Sequence, residues 1–433
     1  MHFLYKKRAT KMRKNALQLI LFLLLLPAAL WAQEEDLVRE DLAANDSLGL
    51  IHDMDSLLTA DTLRLEWPEN VQERIEKMLQ HPMFQTSQVG IMVYDLTDDS
   101  VIYKHNEQQL MRPASTMKLV TAITALDCLG GSYQLKTQLR YSGTIDENTL
   151  NGNLYCIGGL DPRFNGDDMR AFAESIRKMG IDTIRGTIVA DLSMKDKDLF
   201  GEGWCWDDKN PTLTPLLINR KDNFIYAFME QLEKAGIYLD TSTDEHTTPH
   251  GTFELCTRSH SIDQILMRMM KKSDNLYAEA LFYQIASLQG GRYASAKHAA
   301  TLIRRLISKV GLNASNYKIA DGSGLSLYNY LTPELEVALL KYAWQNQNIY
   351  NHLYTSLPIA GQDGTLQDRM RGTHAAGNVR AKTGTVTAVS SLAGYCTSAN
   401  GHELCFSIIN NGLISTSKGR TFQDRICKAL CEP

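Results

Sequence analysis

The stretch RPASTMKLVTAITAL, residues 112–126, constrains the fold of this chain more than any other feature. After Pro113 it is almost wholly apolar, which predicts a helix buried in the protein core. Ser115 and Lys118 stand near its start, three residues apart and therefore on one helical face. A buried lysine is costly unless it is paired or has a task. The fold must supply Lys118 with a partner or with a reaction that uses it.

The whole chain has 433 residues, which suits two compact domains or one large domain with an insertion. Its content of 44% hydrophobic and 22% charged residues is ordinary for a soluble globular protein. The formal net charge of −4 argues against a nucleic-acid partner, which requires a basic surface.

The N-terminus has a basic segment followed by an apolar run that ends at Ala32. This order predicts a secretory signal over residues 1–32, with export to the periplasm or cell envelope. The alternative is an uncleaved anchor, but the run is short for a membrane span of roughly 20 residues. We therefore expect no stable membrane span after cleavage. Residues 33–66 are acidic and weakly patterned, and they predict a tether outside the core.

Eight cysteines would lie in an oxidising compartment after export. They form no paired C-x-x-C clusters of the zinc type, and a chain of this length requires no disulfide framework. Cys427 and Cys431 lie one helical turn apart, a spacing that fits either a disulfide or two adjacent free thiols. Their connectivity stays open at this point.

Strand patterns occur near both ends of the predicted catalytic unit, with helical patterns between them. SQVGIMVYDLTDDSVIYKHN predicts a hairpin, residues 261–310 predict helices, and NVRAKTGTVTAVS, SLAGYCTS and ELCFSIINNG predict three strands before a final helix. This arrangement predicts an antiparallel sheet built from both ends and packed by helices. Residues 137–249 are rich in short strands, with a helix near 167–179, and predict an inserted domain. The catalytic domain would then comprise residues 67–136 and 250–433.

Ser115 and Lys118 form one of four Ser-x-x-Lys matches in the chain, and only this one opens a strongly apolar helix. The match at Ser175 lies in an amphipathic helical pattern, and those at Ser315 and Ser415 lie in polar, loop-like stretches. A serine hydroxyl is a weak nucleophile that needs an adjacent base. A lysine can serve as that base if desolvation lowers its pKa.

The second candidate motif is Ser273-Asp274-Asn275, at the join of two helical stretches. The Ser273 hydroxyl is suited to relaying a proton between a base and a leaving amine. Asn275 offers a donor and an acceptor to a substrate amide, and we expect Asp274 to point elsewhere. The alternative interpretation is a helix N-cap, for which all three residue types are favoured.

The third candidate motif is Lys382-Thr383-Gly384 in the strand RAKTGTVTAV. A glycine inside a β-branched strand usually marks the close approach of another backbone or of a ligand. Lys382 and Thr383 supply a cation and a hydroxyl suited to an anion such as a terminal carboxylate. The alternative is an edge-strand lysine that protects against aggregation.

Ser-x-x-Lys, Ser-x-Asn and Lys-Thr-Gly in this order are the signature of penicillin-binding proteins and serine β-lactamases. More chain separates the first two motifs than the last two. The chain therefore resembles the D-alanyl-D-alanine carboxypeptidase/endopeptidase family of class C low-molecular-weight penicillin-binding proteins, whose members carry inserted domains after the nucleophile helix. Further stretches match that family: NGNLYCIGGLDPRF, GWCWDD, DGSGLSLYNYLTP, LPIAGQDGTL and GNVRAKTGTVTAVSSLAGY. The chain departs from it at Leu160, where a third glycine is usual, and at Leu327, where a basic residue is usual.

The resemblance implies an α+β fold of the β-lactamase/DD-peptidase type: an antiparallel five-stranded sheet flanked by helices, with an inserted mainly-β domain. It implies Ser115 as acyl-enzyme nucleophile, Lys118 as general base and Ser273 as proton relay. The implied substrate-binding groups are Asn275, Lys382, Thr383 and the backbone N–H groups of Ser115 and Thr385. It implies no metal and no organic cofactor. The implied partners are peptidoglycan stem peptides ending in or cross-linked through D-Ala, with β-lactams as inhibitors.

Three alternatives remain at this stage. A serine β-lactamase of class A needs an added glutamate for deacylation, and Glu334 and Glu336 lie in a predicted helix that is no convincing counterpart. A non-catalytic wall-binding relative would need neither nucleophile nor base. An esterase or D-amino-acid amidase would use the same site. The balance between carboxypeptidase and endopeptidase activity and the oligomeric state stay open.

Overall fold

A computed structural model of the chain describes residues 65–208 and 210–433. The predicted signal segment lies outside these residues, as does almost all of the predicted tether. Within the described residues, no helix is both long enough and apolar enough to span a membrane. All eight cysteines carry free thiols in this structure.

The described residues form helices and strands in roughly the order that the sequence predicts. The helices are α1 (Glu69–Leu79), α2 (Met117–Leu129), α3 (Gly166–Lys178), α4 (Phe224–Lys234), α5 (Ile262–Lys271), α6 (Asn275–Gly290), α7 (Ala296–Lys309), α8 (Pro333–Gln345), α9 (Gln347–Ser356) and α10 (Thr416–Cys431). The strands are β1 (Gln88–Asp95), β2 (Ser100–His105), β3 (Gln134–Asp146), β4 (Thr149–Ile157), β5 (Thr183–Asp191), β6 (Tyr238–Glu245), β7 (Phe253–Ser261), β8 (Arg380–Val386), β9 (Val389–Thr397) and β10 (Glu403–Asn411).

The first sheet has the order β2-β1-β10-β9-β8, and every neighbouring pair is antiparallel. Asp95 stabilises the turn of its first hairpin, because its side chain accepts hydrogen bonds from the backbone N–H groups of Thr97 and Asp98 at 2.9 and 3.1 Å. Both ends of the described chain contribute to this sheet. The predicted fold class, a five-stranded antiparallel sheet flanked by helices, is confirmed.

Helix α2 lies at the centre of the core, and each residue from Met117 to Leu126 is buried. It packs against α6, of which Leu276 to Ala286 are buried in the same way. The helices around this pair are amphipathic and bury one face only, as α5 and α7 do. The apolar stretch at 112–126 therefore occupies the interior position that its composition predicts.

The second sheet has the order β6-β5-β4-β3-β7 and is mixed, because β5 pairs in parallel with both β4 and β6. Parallel neighbours need a long crossover, and α3 and α4 lie in these connections. Helix α3 was predicted near 167–179, whereas α4 was not predicted.

The second sheet begins before and ends after the predicted limits of the insertion, since β3 starts at Gln134 and β7 ends at Ser261. A separate cluster of buried apolar side chains packs against it, including Leu154, Phe172 and Phe228. The standing of residues 137–249 as an inserted domain stays a prediction.

Candidate active site

Ser115 lies in a single 3-10 turn, Ala114–Thr116, that leads into α2. Ala114 adopts a left-handed conformation, with φ of 49°, which costs a non-glycine residue roughly 1–2 kcal/mol. The carbonyl of Pro113 holds this turn, because it accepts from Thr116 Oγ1 at 2.8 Å and from Ser391 Oγ of β9 at 2.5 Å. The nucleophile candidate is therefore clamped to the first sheet.

The ammonium group of Lys118 donates three hydrogen bonds: to Ser115 Oγ at 2.9 Å, Asn275 Oδ1 at 2.8 Å and the Ser323 carbonyl at 2.7 Å. The side chain is fully buried. Burial lowers the pKa of Lys118 to about 8, although the nearby carboxylates of Asp321, Glu279 and Asp274 favour the charged form. The core tolerates this lysine because each of its donors has a partner.

The Ser273-Asp274-Asn275 motif forms the turn between α5 and α6. Ser273 has a φ of 55°, and Asn275 is the first residue of α6. Asp274 points away from Lys118 and forms ion pairs with Arg220 and with Arg268, the latter at 2.8 Å. The Asp274 side chain therefore points away from the site, whereas the side chains of Ser273 and Asn275 point toward the lysines.

Lys382 lies on β8 and is also fully buried. Its ammonium donates to Ser273 Oγ at 2.9 Å and to the Thr383 carbonyl at 2.6 Å. Burial, and then the charge of Lys118, lower its pKa well below the ordinary value for lysine. The Thr383 hydroxyl donates to Thr365 Oγ1 at 2.8 Å, a neighbour that the sequence did not indicate.

Gly384 brings β8 against the turn that carries Ser115. A Cβ atom at this position would lie 2.7 Å from the Pro113 carbonyl oxygen and 2.9 Å from the Ser115 nitrogen. This is the close backbone approach that a glycine in a β-branched strand predicts. Thr385 follows directly and pairs with Ser390 of β9, so its backbone lies next to the approach.

The structure brings five of the seven predicted site residues into two neighbouring groups of hydrogen bonds, one around Lys118 and one around Lys382. Ser115 and Asn275 contact Lys118, and Ser273 contacts Lys382. Thr383 and Thr385 lie on the same strand as Lys382. The Thr383 carbonyl accepts from Lys382, whereas Thr385 is near the cluster by its position on the strand only. An open cleft beside the cluster is lined in part by Arg220, Ser273 and Asn275.

Sequence reasoning missed the turn that supplies the Ser323 carbonyl. Asp321 holds this turn by accepting from the backbone N–H groups of Gly324 and Ser326 at 2.8 and 2.7 Å. The Trp204 indole N–H also donates to Asp321, at 2.8 Å. The stretches DGSGLS and GWCWDD were noted in the sequence, but without a role.

Sequence reasoning also missed Glu279, which lies on α6 one turn after Asn275. Its carboxylate accepts from the backbone N–H groups of Gly322 and Ser323 at 3.1 and 2.8 Å. Burial and the nearby Asp321 raise the pKa of Glu279 to about 8. A signal was present: Glu279 is the only charged residue in α6, as conspicuous as Lys118 in α2.

The glutamates weighed as deacylating bases hydrogen-bond to groups other than the Ser115 hydroxyl. Glu336 is buried on α8, where it accepts from Ser407 Oγ at 2.7 Å and where burial raises its pKa to about 7. Glu334 accepts from Gln108 at 3.2 Å. Among the hydrogen bonds of the described residues, neither glutamate contacts Ser115.

One group of described residues has ligand atoms spaced for a metal ion: Asp95, Asp98 and His402, whose atoms lie within 4.8 Å of one another. His402 Nδ1 already lies 2.7 Å from Asp95. This group lies near the hairpin of β1 and β2 and includes none of the residues around Lys118 and Lys382.

Leu160 has a φ of 48°; the family that this chain resembles usually has a glycine at this position. Side chains rarely adopt this conformation, which explains why glycine is favoured there. In this chain the Leu160 side chain is fully buried in the core around α2, and that burial offsets the strained backbone.

Sequence comparisons relate the chain to a family and to individual proteins. Residues 71–216 and 213–432 match the model of a family described as D-Ala-D-Ala carboxypeptidase 3 (S13). The D-alanyl-D-alanine carboxypeptidase DacB of Haemophilus influenzae is 25% identical, over 75% of this chain and 86% of that protein. The D-alanyl-D-alanine carboxypeptidase of Actinomadura sp. (strain R39) is 26% identical, over 84% of each chain.

The fold is also similar to solved structures. The crystal structure of penicillin binding protein 4 (dacB) from Haemophilus influenzae matches with a TM-score of 0.74 and 25% identity, over 82% of this chain and 98% of that one. The same protein in complex with a β-lactam matches with a TM-score of 0.70 and 25% identity, again over 82% and 98%.

Proposed function

The chain belongs to the D-Ala-D-Ala carboxypeptidase 3 (S13) family, and on that premise we propose that Ser115 is its nucleophile and Lys118 the base that activates it. The enzyme is a serine-type D-alanyl-D-alanine carboxypeptidase, endopeptidase or both. It cleaves the peptide bond after D-Ala through an acyl-enzyme. The observation that carries the assignment is the 2.9 Å contact between the fully buried Lys118 amine and the half-buried Ser115 hydroxyl.

In the acylation step, neutral Lys118 takes the hydroxyl proton of Ser115 as Oγ attacks the D-alanyl carbonyl carbon. The backbone N–H groups of Ser115 and Thr385 face the developing oxyanion, each contributing roughly 3–4 kcal/mol as in other hydrolases. The close approach of β8 at Gly384 supports this pairing, because it brings the two backbones together.

The leaving amine needs a proton as the peptide bond breaks. Ser273 passes to this amine the proton that Lys118 took from Ser115, which returns Lys118 to its neutral form. The position of the Ser273 hydroxyl, at the join between α5 and α6 and in contact with Lys382, supports this role. Lys382 and Thr383 bind the terminal carboxylate of the substrate. Water then attacks the acyl-enzyme and releases the shortened peptide.

The substrate class that fits this site is a peptidoglycan stem peptide that ends in D-Ala or is cross-linked through it. A β-lactam presents a reactive carbonyl and a carboxylate to the same groups and acylates Ser115. Because neither Glu334 nor Glu336 contacts Ser115, the acyl-enzyme formed by a β-lactam should persist. The basic and apolar N-terminal segment supports action after export, in the periplasm or cell envelope.

The experiment is covalent labelling of the purified protein with a fluorescent penicillin. We expect labelling of the wild type, none of Ser115→Ala, and wild-type labelling of Ser175→Ala. Ser175 is a matched control because it begins another Ser-x-x-Lys match, on α3, where its hydroxyl donates to the Phe172 carbonyl. Release of D-Ala from a muropeptide ending in D-Ala-D-Ala then identifies the reaction. An unlabelled wild type would favour a non-catalytic relative, and rapid hydrolysis of penicillin would favour a β-lactamase.

A further inference from the structure

A neutral lysine amine has two N–H groups and one lone pair. Two of the three partners of Lys118 are the side-chain oxygen of Asn275 and the backbone carbonyl of Ser323, and carbonyl oxygens only accept hydrogen bonds. They therefore take the two N–H groups. The remaining direction, which holds the lone pair, faces Ser115 Oγ. The two acceptors aim the base at the hydroxyl that it deprotonates.

Both acceptors depend on helix α6. Asn275 is its first residue, and Glu279 lies four residues later, on the same helical face. Glu279 holds the peptide on the N-terminal side of Ser323, because it accepts from the N–H groups of Gly322 and Ser323 at 3.1 and 2.8 Å. The Ser323 carbonyl belongs to the next peptide, whose N–H, on Gly324, donates to Asp321 at 2.8 Å. Because the side chains of Ser323, Glu279 and Asp321 are all buried, the peptides on both sides of Ser323 are held, and its carbonyl has little freedom to turn away.

We infer that Glu279 is a positioning residue for Lys118, which fixes the Ser323 carbonyl so that the lone pair of the amine points at Ser115. This inference rests on the proposed function, since it assumes that Lys118 is the base. Helix α6 then orients the Lys118 amine in two ways: directly, by the hydrogen bond to Asn275, and indirectly, through Glu279 and the Ser323 carbonyl.

The charge of Glu279 also acts on Lys118. The charged and titratable groups that face Glu279 are Asp321 in the turn after α7, Lys118 in α2 and Tyr283 one turn along α6. A carboxylate at 279 favours the ammonium form of Lys118 and so opposes the effect of burial on its pKa. Removing that charge should lower the pKa of Lys118, and the base should become available at lower pH.

Two variants distinguish the hydrogen bonds that Glu279 accepts from the effect of its charge on Lys118. Glu279→Gln keeps an oxygen that accepts from the Ser323 N–H but removes the charge. Glu279→Ala removes both. The matched control is Asp191→Asn, because Asp191 is a buried carboxylate that accepts from two backbone N–H groups, of Ser193 and Thr248, in the second sheet.

The measurement is the rate constant for acylation by a fluorescent penicillin as a function of pH, with thermal melting as the test of folding. For Glu279→Ala we expect acylation slower by about 10-fold to 100-fold, the loss that a misplaced catalytic group produces. For Glu279→Gln we expect a plateau within a few-fold of the wild type and an acid limb moved to lower pH by less than about one unit, since the pKa of Glu279 is itself raised to about 8 and its charge is present over only part of that limb. Asp191→Asn should change neither.

Unchanged acylation of Glu279→Ala together with an unmoved acid limb of Glu279→Gln would overturn the inference. If Glu279→Ala does not fold, Glu279→Met, which fills the same space without an acceptor, takes its place, and unchanged acylation of that variant counts against the inference. Failure of the proposed function would look different, because the wild type itself would then remain unlabelled.

Discussion

The surroundings of Lys118 and of Lys382 differ in one respect. Both lysines are fully buried and both contact a serine hydroxyl. Around Lys118, three carboxylates favour the charged form: Asp321, Glu279 and Asp274. Around Lys382, the charge that shifts the pKa is that of Lys118, which is of the same sign.

The difference teaches what each lysine is suited to do. With carboxylates nearby, Lys118 keeps a pKa of about 8, so it can release a proton and take one back near neutral pH. Lys382 is a buried ammonium group with no compensating anion among the described residues that affect it. A substrate carboxylate supplies that anion, and binding then stabilises the charge.

The largest effect should come from removing the base. Lys118→Met should slow acylation by about 1,000-fold, because general-base assistance typically contributes 10²–10⁴-fold. The measurement is the rate constant for labelling by a fluorescent penicillin. Lys195→Met is a matched control, since Lys195 is equally buried but donates to the carbonyls of Asp196 and Asp198. A Lys118→Met protein that acylates within tenfold of the wild type would remove the contrast between the two lysines.

Removing Lys382 should have a smaller effect that depends on the substrate. A hydrogen bond to a charged group contributes about 1.5–3 kcal/mol, which corresponds to about 10-fold to 100-fold. Lys382→Met should therefore lower kcat/KM by that factor for a peptide ending in a free D-Ala carboxylate. For the same peptide ending in a D-Ala amide, the loss should be much less. Equal losses on both peptides would show that Lys382 does not bind the carboxylate.

The pH dependence should show one limb for each lysine. The rate should rise with pH through about 8, because the pKa of Lys118 is lowered to that value and only its neutral form accepts the Ser115 proton. Loss of the charge on Lys382, whose pKa is also lowered, should oppose this rise and produce a descending limb. The descending limb should lie at higher pH in kcat than in kcat/KM, since a bound carboxylate stabilises the ammonium. Initial rates of D-Ala release test this, and a descending limb that persists with the amide peptide would contradict it.

The smallest effect should come from the outermost carboxylate. Asp274→Asn breaks ion pairs with Arg220 and Arg268, whose side chains are 40% and 46% exposed; exposed pairs contribute up to about 1 kcal/mol. We expect a melting temperature lower by about 2 °C and acylation within threefold of the wild type. A loss as large as that expected for Glu279→Ala would mean that Asp274 acts on the base as strongly as Glu279 does.

The catalytic sheet and the reactive side chains could be predicted from the sequence because each carries a local pattern. An apolar helix with Ser115 and Lys118, a glycine in a β-branched strand and strand patterns near both ends all have direct physical meaning. Their roles in catalysis stay predictions until the experiments above are done.

The turn at 321–326 could not be predicted, because the group that matters is a backbone carbonyl and every residue has one. The parallel pairing of β4, β5 and β6 was missed for a related reason: short strands look alike whichever way they pair. The Ser-x-x-Lys match at 415–418 was predicted in a loop-like stretch; Ser415 has an extended backbone outside α10, whereas the rest of the match lies within that helix. Glu279 is different, since a lone charge in an apolar helix is the same signal that identified Lys118.

The hydrogen bond from Trp204 to Asp321 has a consequence for protein engineering. Trp204 belongs to the long connection between β5 and α4, within the segment that a designer would delete to obtain a minimal enzyme. Deleting residues 137–249 would remove the hydrogen bond that the Trp204 indole donates to the buried Asp321. The turn at 321–326, whose Ser323 carbonyl accepts from Lys118, would then be held less firmly. The segment 137–249 thus stabilises a turn that contacts Lys118, and a shortened enzyme would need another donor to Asp321.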